Sequence, residues 1–308
     1  MMSRRAICIL FSILTLLLTA CQPAAAPAPR AGGAAFKVLA TTTFLADITQ
    51  NVAGDRLPVR ALLPAGVDPH SYEPTPKDVA LVADSQALII NGAGYEGFLA
   101  KLLESSGGER QVIEASAGLK GRVAREGERA EASEGESDPH YWLDPNLVIK
   151  YVENIRDGLS QADPAGAATY AAKAMAYIAQ LQELDSWIAA QVTQVPEKRR
   201  LLVTNHEALG YFGDRYGFQI IGTIIPSTSS SASPSAQQLA RLVDQIKATG
   251  APAIFLESGS NVQLAEQVAR EAKIKVVMGL HIESTGKSAP TYLAMIRYNT
   301  QAIVDALK

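Results

Sequence analysis

Two of the four histidines in this 308-residue chain sit in loops of the same design. Asp68-Pro69-His70-Ser71-Tyr72-Glu73-Pro74 and Asp138-Pro139-His140-Tyr141-Trp142-Leu143-Asp144-Pro145 each set an imidazole after Asp-Pro and ahead of an aromatic, an acid and a proline. Proline fixes φ and removes a backbone donor, so both loops are stiff before anything binds, as a coordination site requires. The Tyr141-Trp142 pair adds a wall against water. The chain has two cysteines, Cys8 and Cys21, both near its start, so the body has no thiol for a disulfide or a thiolate ligand. Any metal held here is held by nitrogen and oxygen.

The elements that must position these side chains alternate in type. Apolar runs at Phe36 to Thr42, Leu57 to Leu63, Ala87 to Asn91 and Gln111 to Glu114 predict strands, with helices at Phe44 to Ala53, Lys77 to Asp84 and Gly97 to Glu104. Thr75-Pro76-Lys77-Asp78 supplies an N-cap, a proline in the first turn and an acid at the third position, and Asp144-Pro145 opens a further helix to about Gln161. Strand and helix taking turns indicates parallel βαβ units. A second series follows, with strands at Arg200 to Thr204, Gln219 to Ile225, Ala253 to Glu257 and Lys275 to Leu280 and helices at Ala208 to Tyr216, Ser235 to Thr249, Val262 to Ala272 and Pro290 to Leu307. Between the series, Asp163-Pro164 begins a stretch without a breaker until Pro196, in which Tyr170, Ala174, Ile178, Leu181, Ile188 and Val192 recur at helical spacing. One helix through it would run to roughly 45 Å. The expected fold is therefore α/β: two βα lobes with parallel sheets (36–162 and 197–308) joined by a rigid spine helix (163–196).

Residues 1–20 are expected to be an export signal, with Arg4 and Arg5 before an apolar run from Ala6 to Leu18 that is too short for an ordinary membrane span. Leu18-Thr19-Ala20-Cys21 closes it in the manner of a bacterial lipoprotein signal, which would leave Cys21 lipidated at the head of a Pro/Ala/Gly tether over 21–35. Loss of Arg4 and Arg5 takes the formal charge from −3 to −5. A mildly acidic body argues against a nucleic acid or an anionic membrane face as the partner, which leaves the lipid as the expected membrane contact.

Ligands of open α/β sheets collect outside the carboxyl ends of strands. His206 directly follows one predicted strand and Glu283 another, while His70 and His140 come from loops of the first series. The spacings from His70 to His140, His206 and Glu283 are 70, 66 and 77 residues in turn, so these groups form no local motif and meet only across an interface between lobes.

Val67-Asp68-Pro69-His70-Ser71-Tyr72-Glu73-Pro74, the His140 motif, Thr204-Asn205-His206-Glu207-Ala208-Leu209-Gly210-Tyr211-Phe212 and Ile254-Phe255-Leu256-Glu257, in that order behind a lipoprotein leader, resemble the zinc and manganese solute-binding lipoproteins of ABC importers. The resemblance implies two βα lobes on one long rigid helix, with the metal in the interlobe cleft. It also implies His70, His140 and His206 as ligands with an acid near the last strand. That acid is usually an aspartate; here the matching place holds Glu283, with His281, Glu257 or water as alternatives for the fourth position. A histidine at 206 rather than a glutamate leans the cargo to Zn2+ over Mn2+, in keeping with the affinity of imidazole for zinc. The acidic run from Arg125 to Asp138 occupies the place of a histidine-rich loop in many zinc receptors, and its composition predicts a solvated segment.

Three imidazoles and a carboxylate saturate a tetrahedral ion, whereas catalytic zinc keeps an open position, so no enzymatic activity is expected. A zinc hydrolase is the alternative of another class, and a metal-dependent adhesin or storage protein a third. The implied partners are an ABC permease and its ATPase subunit, the protein itself being a monomer. Ligand imidazoles must be neutral, which predicts weaker binding below about pH 6.5.

Overall fold

Each short run rich in Val, Ile and Leu in the first series forms a strand that a helix returns to a parallel neighbour. The computed structural model describes residues 36–122 and 137–308. The leader, Cys21, the tether and the acidic run up to Glu136 lie outside the described residues. The first lobe runs β1 (Val38–Ala40), α1 (Thr43–Ala53), β2 (Val59–Ala61), α2 (Pro76–Ala83), β3 (Ala87–Ile90), α3 (Leu99–Ser106) and β4 (Gln111–Glu114). Helix α4 (Pro145–Ala162) and the spine α5 (Ala167–Val192) follow. The second lobe runs β5 (Leu201–Thr204), α6 (Gly210–Tyr216), β6 (Gln219–Thr223), α7 (Ala236–Thr249), β7 (Ala253–Glu257), α8 (Val262–Ala272), β8 (Lys275–Leu280) and α9 (Tyr292–Leu307).

The sheets have the same plan, β2-β1-β3-β4 and β6-β5-β7-β8, with every pairing parallel. Strand order reverses between β1 and β3 in one and between β5 and β7 in the other, which opens a crevice at those carboxyl ends.

The spine is shorter than the sequence suggests. A 3₁₀ turn at Pro164–Gly166 precedes it and another at Glu197–Arg199 follows, leaving 26 helical residues, or about 39 Å. Asp163 terminates α4 and is itself pinned by Arg56 at 2.9 Å and by the Tyr170 hydroxyl at 2.6 Å, so the turn between the helices is fixed from both sides. The buried stripe passes through Tyr170, Ala174, Tyr177, Leu181, Leu184, Ile188 and Val192. Ile178, assigned to it by spacing, is only partly buried, because Tyr177 keeps better phase over the whole length.

One apolar core, which includes Phe44, Trp142, Tyr177, Leu202, Phe255 and Tyr292, runs through both lobes around this stripe. Helix α9 belongs to the second lobe by chain order, yet it packs on the spine as well as on β8. The Tyr292 N–H donates to Asp47 in α1 at 2.8 Å, and its hydroxyl to the Trp142 carbonyl at 2.6 Å. Smaller cores line the outer sheet faces, one on α2 and α3 and one on α7 and α8. No helix among the described residues is long and apolar enough to cross a membrane.

Candidate metal centre

The repeated Asp-Pro-His sequence folds the same way twice. In each loop the first aspartate accepts the N–H of the histidine two residues on, Asp68 from His70 at 2.9 Å and Asp138 from His140 at 3.0 Å, the Asx turn that a short acid favours. The His70 loop is braced further by Asp78, whose Oδ2 accepts from the Thr75 N–H at 2.8 Å and from the Tyr72 hydroxyl at 2.6 Å. The cap of α2 thus also holds the loop that carries His70.

His206 leaves the end of β5 and Glu283 lies just past β8, and the crevice brings both to His70 and His140. One donor atom from each of the four lies within 4.8 Å of every other. Glu283 Oε1 stands 3.2 Å from His140 Nε2, 3.2 Å from His206 Nε2 and 3.6 Å from His70 Nε2, and the His140 and His206 Nε2 atoms are 3.2 Å apart. Four ligands at the bond lengths of zinc to nitrogen and oxygen form a tetrahedron with edges of about 3.3 Å, close to the separations of Glu283 Oε1 from the imidazoles and of His140 from His206. The cluster is sealed, with side-chain exposures of 0% for His140, 1% for His206, 7% for His70 and 10% for Glu283. His70 Nε2 and Glu283 Oε1 are buried without a hydrogen-bond partner among the described residues. Groups so placed cost stability unless a cation satisfies them.

The surrounding residues aim the donors. His140 Nδ1 lies 2.8 Å from Asp138 Oδ1 and His206 Nδ1 lies 2.6 Å from Glu257 Oε1, which Asn205 also contacts at 2.9 Å. A carboxylate on Nδ1 holds the proton there and leaves the Nε2 lone pair facing the cluster. The Tyr95 hydroxyl donates to Glu283 Oε2, so that carboxylate presents one free oxygen. Trp142, 5.1 Å from His140 between ring centroids, keeps water off that flank.

Sequence reasoning placed some of these groups otherwise. Asp138, counted as the end of a solvated acidic run, is buried and orients His140. Glu257 orients His206 instead of joining the cluster. His281 is turned outward, its Nε2 2.9 Å from Ser288 Oγ and its backbone held by Asn299, because a bend after β8 breaks the extended geometry that would align residues 281 and 283. Tyr95 was missed, although its place just after β3 in Asn91-Gly92-Ala93-Gly94-Tyr95 satisfies the same strand-end rule.

Electrostatics reinforce the geometry. Burial opposes charge on His140 and His206, but Asp138 and Glu283 raise the first above 6.5, and Glu257 and Glu283 raise the second well above it. Burial would raise Glu283, but His140, His206 and His70 hold it well below 4.5. Without metal, the raised histidines add stability that is complete below 6.5 and lost as pH climbs through their folded values. The lowered glutamate adds stability above 4.5 that is lost as pH falls through its folded value.

Fold and cluster together define a class: two-lobed receptors that enclose one metal ion in an interlobe crevice. Residues 38–306 match the family model described as ZnuA, zinc-uptake complex component A, periplasmic, and the chain belongs to that family. The manganese-binding lipoprotein MntA of Halalkalibacterium halodurans is 35% identical over 278 residues, covering 89% of each chain. The iron-binding protein YfeA of Yersinia pestis is 31% identical over 271 residues, covering 87% of this chain and 85% of that one. Among solved structures, the periplasmic zinc-binding protein TroA of Treponema pallidum aligns with a TM-score of 0.80 at 27% identity, over 89% of this chain and 99% of that one. A manganese-bound periplasmic metal-binding protein of Candidatus Liberibacter asiaticus aligns at 0.78 and 28%, over 89% and 100%. The protein is the substrate-binding component of a metal ABC transporter and not an enzyme.

Proposed function

We propose that the protein captures zinc outside the cytoplasm, on His70, His140, His206 and Glu283, and delivers it to a permease driven by its ATPase. The observation that carries zinc is the Tyr95 hydroxyl on Glu283 Oε2, which leaves three imidazoles and one carboxylate oxygen. That set suits a tetrahedral ion with nitrogen-rich ligation; manganese favours more oxygen ligands in an octahedral shell and stands lower in the intrinsic affinity order. A second reading, manganese, is favoured by the binding named for the 35%-identical relative. Competition titration separates them: tighter zinc supports the proposal and tighter manganese overturns it. In this reading Cys21 is acylated and tethers a monomer to the membrane, and the spine restricts the lobes to a small closure.

Replacing Tyr95 by Phe frees Glu283 Oε2 to chelate. The expected result is a zinc affinity lower by about 10- to 100-fold, the usual cost of losing a group that orients a ligand. Manganese affinity should fall less, narrowing the ratio measured in the same titration.

The pH window follows from the raised histidines. Protons on His140 and His206 compete with metal at values above 6.5, higher than unperturbed imidazole suggests. Binding is expected to weaken with falling pH already above pH 6.5, by up to about a hundredfold per pH unit where two protons are displaced. The rise in melting temperature on adding zinc should therefore grow from pH 5.5 to 8, and a flat profile would argue against imidazole ligation.

A further inference from the structure

The ligand atoms are closed off from solvent, so an ion must cross one margin of the crevice to reach them. The two margins are built differently. On one, the Trp142 indole donates to the Ile282 carbonyl at 2.9 Å, the Tyr211 hydroxyl donates to the Asp138 carbonyl at 2.8 Å, and Arg122 pairs with Asp214 at 2.7 Å. Those contacts bury aromatic rings that belong to the shared core, and opening them would expose it. On the other, the bonds across the crevice involve hydroxyl side chains: the Ser230 hydroxyl donates to Asp68 Oδ2 at 2.7 Å, the Gly66 N–H donates to Ser284 Oγ at 2.9 Å, and the Thr285 N–H donates to Thr43 Oγ1 at 2.9 Å.

Behind this second margin lies a cavity of about 190 Å³ bounded by Asp68, Asn205, Ser230, Glu257, Ser260 and Glu283. It is well above the space that one ordered water needs. Its lining includes three carboxylates and His281 with hydroxyls and amides, and no lysine or arginine. Ser260 Oγ is buried there without a hydrogen-bond partner among the described residues. The loop that carries Ser230 is tied to the ligands as well, because the Ser227 carbonyl accepts the N–H of Glu207, next to His206. Movement of that loop would therefore loosen His206.

We infer that the ion enters and leaves as a hydrated cation through this cavity, and that Ser230 and Ser284 latch its mouth onto Asp68 and Gly66. The inference rests on the reading of His70, His140, His206 and Glu283 as the metal site. Ser230 is the cleaner member to test: removing its hydroxyl leaves Asp68 with its bonds from the His70 N–H and from Ser71.

The test is the rate at which zinc-loaded protein gives up its ion to an excess of chelator, with the association rate measured separately. Ser230→Ala is expected to release zinc about fivefold faster, the loss of one ordinary hydrogen bond. Ser258→Trp, at the exposed rim of the cavity, is expected to slow capture and release together with Kd unchanged, the mark of a route rather than a ligand. Asp214→Asn, on the opposite margin, should stay within about twofold of the parent, because the buried Trp142 and Tyr211 rings and their hydrogen bonds still hold that margin. A zinc-loaded parent with Ser230→Ala at parental rate, or with release sped by Asp214→Asn instead, would overturn the route and leave the metal site standing. A parent that holds no zinc would overturn the site and the route together.

Discussion

Replacing His206 by Ala is expected to lower zinc affinity by roughly 10²- to 10³-fold. Apparent zinc binding energies of about 10 to 16 kcal/mol for four-ligand sites, shared evenly, assign about 2.5 to 4 kcal/mol to each ligand. The loss strikes twice at this position. It removes a donor 3.2 Å from both His140 Nε2 and Glu283 Oε1, and it takes from Glu257 the ring 2.6 Å away, leaving that carboxylate with Asn205. His281→Ala serves as the comparison and should bind zinc like the parent, since that ring faces Ser288 and Tyr298. Competition against a chromogenic chelator measures both variants; parental zinc affinity in His206→Ala would remove it from the site.

Trp142→Ala is expected to cost about 3 to 5 kcal/mol of unfolding free energy in metal-free protein, the range for deleting a fully buried large aromatic. The ring is wholly buried, stacks on Phe44 at 4.5 Å and meets Tyr95 edge-on at 4.8 Å. Its indole N–H reaches the Ile282 carbonyl at 2.9 Å, one residue before Glu283. Deleting it therefore opens a cavity in the shared core and frees two groups that aim the cluster, Tyr95 and the Glu283 backbone. Urea unfolding of the metal-free chain reads the first effect and zinc titration the second. A variant with parental stability and weakened zinc binding would confine Trp142 to the site. The expected result is that both fall, because the same ring serves core and cluster.

The strands and most helices were legible because their signals are local. Short runs carrying Val, Ile or Leu mark the strands, and Thr75-Pro76 and Asp144-Pro145 mark helix starts, where Asp78 accepts the Thr75 N–H and Asp144 the Asn146 N–H. Within the spine, the shift of the stripe from Ile178 to Tyr177 was not legible, since adjacent residues on a helix differ by a fraction of a turn and only the packed neighbours choose between them. Helix α9 likewise declared its helicity but not its position against α1 and the spine, for amphipathic spacing gives a face and not its counterpart.

The site divides along the same line. Chain chemistry by itself determined that nitrogen and oxygen must hold the metal, that two Asp-Pro-His loops are stiff, and that His206 and Glu283 follow strands. Those facts depend on residue type and on neighbours one or two positions away. Tertiary structure alone decided that Glu283 faces the cluster while His281 turns from it, that Glu257 and Asp138 orient imidazoles, and that Tyr95 occupies the second oxygen of Glu283. Each is a contact between segments some 50 or more residues apart, or a bend set by them, save for the Asp138 bond, whose burial depends on the second lobe closing over it. Such pairings exist only once a common core has drawn both sheets around one helix.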